Sequence, residues 1–262
     1  MCPRSTTRSV LFAGLILAGS VVMPVQAAEL RERGNCEAPG RNTDLRHCDL
    51  SGRQLMDIDL RGSDLRRVDL SNSDLSRAVL DGADLRKANL KWAKLLDTSF
   101  RQADLSHADM FHVVAENAVF DDARLFKTNL FGALMNQVRA RDAEFTQAYM
   151  KDIEFEGADL SGSTLRRANL LRMVAIGTVF RGCDLSYSDL TGAAAEDADF
   201  SDGRLAHTVL NGADLKNARF DNADMTSVFL SNARLQGAHL STARGLPYHL
   251  QSRLGKDGHL MH

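Results

Sequence analysis

The chain has 262 residues, 44% of them hydrophobic and 25% charged, which excludes a disordered or membrane-embedded composition. Lys and Arg total 32 against 34 Asp and Glu, and a net charge of −2 is too balanced for a strongly basic nucleic-acid binder or a heavily acidic DNA mimic. Only 6% of residues are aromatic, with a single Trp, so the core cannot be assembled around large rings in the usual way.

Residues 1–27 read as a secretory leader. Arg4 and Arg8 precede an uncharged, mostly apolar run of 14 residues, Ser9 to Val22. That run is shorter than the roughly 20 residues needed to span a bilayer. Pro24 breaks it, and Val25-Gln26-Ala27 supplies a cleavage site, so a product starting at Ala28 is expected, periplasmic or secreted and without a stable membrane anchor. Leu17-Ala18-Gly19-Ser20 is not a lipidation site, because Ser20 stands where the cysteine must be. Cleavage would take two arginines and no acid, moving the charge from −2 to −4.

Residues 28–42 form an irregular lead-in. In an exporting compartment cysteines pair readily, and Cys36 and Cys48 are 12 residues apart. A disulfide between them would pin the lead-in to the first regular unit; two buried thiols are the alternative. Cys183 reads as an inert core thiol.

From Leu45 to Leu240 every fifth residue is apolar, without a slip: 25 Leu, 7 Phe, 4 Met and 4 Ala at 40 positions. Two residues before each of these centres the side chain is small in 32 of the 40 cases. The pattern is clearest in Ala83-Asp84-Leu85-Arg86-Lys87 and Ala158-Asp159-Leu160-Ser161-Gly162. A step of five winds around an α-helix, and a plain strand needs a period of two. Five residues must therefore be one short extended segment plus one corner, and the glycines two after the centre (Gly52, Gly82, Gly162) suit a turn. A second period lies behind the first. Phe100, Phe120, Phe180, Phe200 and Phe220 are separated by multiples of 20, and Arg61, Asp81, Arg101, Asp121 and Arg141 alternate in sign at steps of 20. Four repeats per coil and about ten coils follow. At the strand spacing of ~4.8 Å the rod is about 45 Å long, with those charges expected to form a ladder.

Over residues 43–242 this pattern resembles the pentapeptide-repeat family. The resemblance implies an all-β fold, a right-handed, four-sided parallel β-helix in which the centre and the residue two before it point inward. Residues 243–262, opening with Ala243-Arg244-Gly245-Leu246-Pro247, would cap the far end. Arg53 breaks the inward pattern and unsettles the packing of the first coil. Ala195, preceded only by Ala193, is expected to be a thin spot. The family has no single activity; some members protect type II topoisomerases by imitating DNA.

No nucleophile elbow, phosphate-binding loop, CxxC pair or HExxH is present, and no catalytic, cofactor or metal site is expected. The many aspartates are the second letter of the repeat. His47, His107 and His207 share a column but stand coils apart, too far to share an ion. Two surfaces stand out. Arg46, His47, Arg66, Arg67, Arg86 and Lys87 stack on one face beside Asp44, Asp64 and Asp84, and read as a solvated charged face, with a site for phosphate or anionic lipid headgroups as the alternative. At one corner Trp92, Phe111, Val114, Phe131, Leu134, Leu171 and Val174 put apolar groups where the repeat places polar ones, interrupted by Lys151 and Glu154. Clustered exposed apolar groups mark interfaces; cover by the chain's own tail is the competing reading. The functional expectation is a non-enzymatic, exported structural or interaction module, with an unknown protein partner or self-association, no nucleic acid and no small-molecule substrate. The alternative is a DNA-mimicking topoisomerase-protection protein.

Overall fold

Hydrogen-bond accounting explains why five residues repeat. In the repeat around Leu85 the Ala83 N–H donates to Leu80 O (3.0 Å), closing a β-turn. Asp84 N–H reaches back one coil to Ser63 O (2.9 Å), while Leu85 and Lys87 N–H reach forward to Asp104 O (2.8 Å) and Ser106 O (3.1 Å). The fifth N–H, on Arg86, donates to Asp84 Oδ1 (3.3 Å). Each backbone donor thus has a partner, as buried or half-buried backbone requires. The aspartate of the motif is the turn's own acceptor. Where it is missing, a carboxylate or amide one coil back replaces it: Asp81 Oδ1 accepts Arg101 N–H (3.0 Å), and Asn136 Oδ1 accepts Glu156 N–H (2.8 Å).

The computed structural model describes residues 31–252 and 255; the expected leader, its cleavage site and the last part of the expected tail lie outside them. Parallel bridges link residue i to i+20 throughout, from Asp44↔Asp64 to Asp224↔Arg244, so four repeats do make one coil. The architecture is a right-handed quadrilateral β-helix. Successive coils are almost parallel: the Phe100 and Phe120 rings lie 5.0 Å apart at 5°, and Phe180 and Phe200 5.0 Å apart at 3°.

Except at His47 and Thr242, the second residue after each centre takes a positive φ, as in a type II turn. Glycine does so freely, as at Gly82 (φ 64°), but Lys87 (62°) and Trp92 (60°) hold the same geometry. A side chain there costs about 1–2 kcal/mol. The inter-coil bond from its own N–H opposes that cost.

The centres form one dry core, most of them with no exposed surface. Inward Ser, Thr and Cys residues fit because they reach a turn carbonyl, either their own, as Ser73 Oγ donates to Leu70 O (2.6 Å), or one a coil back. Thr98 Oγ1 donates to Leu75 O (2.8 Å), and Cys183 Sγ to Leu160 O (2.9 Å). All four alanine centres are followed, five residues later, by a phenylalanine: Ala115 by Phe120, Ala140 by Phe145, Ala175 by Phe180 and Ala195 by Phe200. Volume lost at one corner is restored at the next, as close packing demands. Ala193 and Ala195 are 1% and 0% exposed, and the expected thin spot has Phe200 as its neighbouring centre.

Both ends of the stack are covered. Strand β1 (Glu32–Arg33) pairs in parallel with β2 (Thr43–Asp44), starting an incomplete extra turn. Gly34 continues it, donating to Asp44 O (2.9 Å). A Cβ on Gly34 would lie 2.5 Å from Leu45 Cδ2, so only glycine permits this approach. Arg53, which breaks the inward pattern, sits half-buried under the lead-in. It donates to Cys36 O and Glu37 O (both 3.3 Å), ties the irregular segment to the first coil and supplies donors that an apolar residue would lack. At the other end the short helix α1 (Tyr248–Gln251) follows Pro247, and Leu246 and Leu250 join the core cluster.

Candidate functional site

The corner at Trp92 is built by the coil register. The second residue after each centre stands at a corner, so Trp92 and His112, 20 residues apart, are brought face to face on adjacent coils. Their ring centroids are 4.6 Å apart at 3°. Phe111 meets Trp92 edge-on at 5.3 Å and stacks on Phe131 at 5.5 Å, close to one strand spacing. Tyr149 extends the stack from Phe131 at 5.9 Å. Around the corner Val114 pairs with Leu134 in the ladder.

These groups enclose a shallow trough of ≈ 480 Å³ with Trp92, Phe131, Val114 and Leu134 as apolar walls. Gly132 opens it: a Cβ there would lie 2.5 Å from the His112 ring. Asp152 and Glu154 form the rim. The Asp152 carboxylate takes both Nε and Nη2 of Arg172 (2.7 Å each), which holds it below the usual carboxylate range. Trp92 is 54% exposed, whereas Phe111 and Phe131 are half-buried. Leu171 and Val174 are also half-buried but do not line the trough; Lys151 and Glu154 separate them from it along the rod. The Lys151 ammonium lies 5.9 Å from the Phe131 ring centre. His112 and Tyr149 are members that the apolar pattern did not single out. The 20-residue period carried the signal, since it puts His112 directly after Trp92.

The charged face at the N-terminal end is a zigzag of ion pairs. Arg46 bonds Asp44 (2.5 Å) and approaches Asp64 (3.4 Å); Arg66 does the same with Asp64 (2.5 Å) and Asp84 (3.4 Å). The Arg46 bond holds Asp44 well below the usual range. Burial pushes Asp64 up, but its bonds to Arg66 outweigh that and lower it overall. The expected ladder of Arg61, Asp81, Arg101, Asp121 and Arg141 is only partly formed. Arg101 lies 3.9 Å from Asp121, but Arg61 turns aside to Asp59 (2.6 Å) and Arg141 to Asp159 (2.6 Å). Both acids have other partners: Asp81 Oδ1 accepts Arg101 N–H and Ser99 Oγ–H, and Asp121 accepts Arg141 N–H at Oδ1 and the Arg139 guanidinium at Oδ2.

Cys36 and Cys48 form a disulfide with Cα atoms 5.4 Å apart. With His47 they bring three potential metal donors within 4.8 Å, yet both sulfurs are occupied by each other and neither is a thiolate. Burial pushes the Cys183 thiol up to about 12.

Comparison with protein families matches Pentapeptide repeats in eight copies, over residues 54–91, 63–102, 83–113, 98–137, 141–172, 165–202 and 204–241. The chain is a pentapeptide-repeat protein. Among solved structures it is similar to HetL, a pentapeptide repeat protein involved in heterocyst differentiation regulation from the cyanobacterium Nostoc sp. strain PCC 7120. Identity is 26% over 76% of this chain and 91% of that one, with a TM-score of 0.56. QnrB1, a plasmid-mediated fluoroquinolone resistance protein, is 20% identical over 79% and 91%, with a TM-score of 0.45. A pentapeptide repeat protein of the Arabidopsis thaliana thylakoid lumen is 27% identical over 44% and 66%, with a TM-score of 0.23. No curated protein sequence matches.

Proposed function

We propose that this pentapeptide-repeat protein is a non-enzymatic, exported rod that works by docking a protein, a second copy or a different chain, on the corner at Trp92. The observation that carries the reading is an indole 54% exposed, stacked on His112 and braced by Phe111 beside an apolar trough. Large aromatics held rigid next to a pocket are what interfaces use as anchors. The absence of an enzyme role is supported by the aspartates, whose oxygens are engaged by turn N–H groups and arginines. Export rests on residues 1–27. A topoisomerase-protecting DNA mimic needs a continuous acidic face, and the Arg46–Asp44 and Arg66–Asp64 pairs interrupt it.

Trp92 is the only tryptophan, so its fluorescence reports on the corner alone. Association, by raising protein concentration or adding a partner captured from the periplasm, is expected to shift the emission to the blue. Trp92→Ala and Phe131→Ser should abolish association in sedimentation velocity while leaving the circular dichroism intact. Unchanged association of both variants, or inhibition of gyrase supercoiling by the purified protein, would overturn the proposal.

A further inference from the structure

The four corners of the rod do not carry the same charge. Each corner is the column of residues two after the centre, one per coil, and on the first corner all ten are solvent-exposed. On the second corner stands Asp152; on the third, Asp57, Asp97 and Asp197; on the fourth, Asp122, Asp142 and Asp202. The first corner, running from residue 47 to residue 227, holds no acid at all. Arg67, Lys87, Lys127 and Arg167 supply four permanent cations, and His47, His107 and His207 stand between and beyond them.

Two aromatic rings, Phe126 and Tyr187, contact four of these groups. The Lys127 ammonium lies 5.1 Å from the Phe126 ring centre, and the Arg167 guanidinium 5.9 Å from that of Tyr187, which is itself 51% exposed. His107 meets Phe126 edge-on at 5.5 Å, and His207 stacks on Tyr187 at 4.7 Å. Arg67 and Lys87 have no ion pair among the described residues. The nearby aspartates are engaged elsewhere, on Arg46, Arg66 and Arg86. Each of those guanidiniums spends its Nε and Nη2 on its own aspartate, and together with Arg67 and Lys87 they line a trough of ≈ 540 Å³.

We propose that this first corner lies along an anionic phospholipid surface, with headgroup phosphates seated between the arginine row and the corner cations. The shape argues for a surface. The bridges step from residue i to i+20 without a slip, so the corner is one continuous exposed column along the rod. An extended surface can meet many of its cations at once, whereas a small anion meets only the trough. Basic residues beside an exposed Tyr are a combination that suits the membrane–water boundary. Because the contact is electrostatic and lies on the outside of a folded rod, binding is peripheral and reversible. It uses a different corner from the one at Trp92 and stands independently of the docking proposed there.

Co-sedimentation of the full chain with phosphatidylglycerol/phosphatidylcholine vesicles tests it, with pure phosphatidylcholine vesicles as reference. Binding is expected only to the anionic vesicles, and it should weaken steeply as salt rises. Replacing Arg67, Lys87, Lys127 and Arg167 together by Gln should lower partitioning by about tenfold or more. A control replacing Arg61, Arg101, Arg141 and Arg181 by Gln removes the same charge from another face and should stay within about twofold. Melting curves of both variants establish that they fold. Equal loss in the two variants, undiminished binding of the first, or no binding of the native chain would overturn the proposal. So would displacement from vesicles by low-millimolar inorganic phosphate, which would mean a discrete anion pocket, or binding to a sulfated glycan with none to vesicles.

Discussion

Phe145 and Phe200 are a matched pair for weighing what holds the rod together. Both are centres with no exposed surface, and each follows an alanine centre, Ala140 and Ala195. Their neighbours differ. Phe200 is stacked between Phe180 at 5.0 Å and Phe220 at 5.1 Å, while Phe145 has one edge contact, with Phe155 at 6.5 Å. Truncating a buried Phe to Ala costs about 3–5 kcal/mol, more where the surroundings cannot collapse. An alanine at the preceding centre has nothing to swing into the gap. Aromatic pairs add about 0.5–1.5 kcal/mol each beyond burial. Phe200→Ala loses two and Phe145→Ala one weaker pair, so the first is expected to be costlier by about 1 kcal/mol. Urea unfolding followed by circular dichroism measures both. Each coil touches only its neighbours, so Phe200→Ala should also loosen coupling across the break and lower the apparent m-value. Equal costs would refute the stacking contribution. A cost below about 2 kcal/mol for either would refute the claim that these rings fill volume left by the preceding alanine.

The Cys36–Cys48 bridge spans 12 residues, so reductant is expected to remove about 3 kcal/mol and lower the melting temperature. Two freely alkylated thiols at those positions in denatured, non-reduced protein would contradict this. Acid should destabilise the rod in a defined window. Bonds to Arg61 lower Asp59 to about 2, and Asp44, Asp57 and Asp64 are also lowered. A carboxylate whose pKa is lower in the folded state contributes stability above the unfolded value, near 3.8, and loses it as pH falls through the folded value. Melting temperature should therefore hold steady from pH 7 to about 5 and drop from about 4 toward 2; a fall centred near pH 6 would point to other groups. Cys183, pushed up to about 12 and bonded to Leu160 O, should resist maleimide in native protein at pH 8 and react once unfolded, as peptide mass spectrometry would register.

The amino-acid sequence determines the coil almost alone. Because the register from Leu45 to Leu240 never slips, local spacing translates directly into position, and even the contacts between Phe100 and Phe120 or Phe111 and Phe131 follow from counting in twenties. What counting could not supply was the direction in which a charged side chain turns. Arg61 and Arg141 sit where an alternating ladder was expected, yet they swing to Asp59 and Asp159, while the stacked Asp81 and Asp121 serve backbone N–H groups one coil on and the side chains of Ser99 and Arg139. Nor could it show that Arg53 serves the carbonyls of Cys36 and Glu37, since the lead-in has no period from which to place it. The corner at Trp92 lies between the two cases. Its aromatics were legible as departures from the repeat, but His112 looked like an ordinary polar residue until folding laid its ring on the indole. A solenoid writes its core in one dimension, and only the packed coils set which outward groups meet, because those groups choose among partners along the chain, across the corner and one coil away.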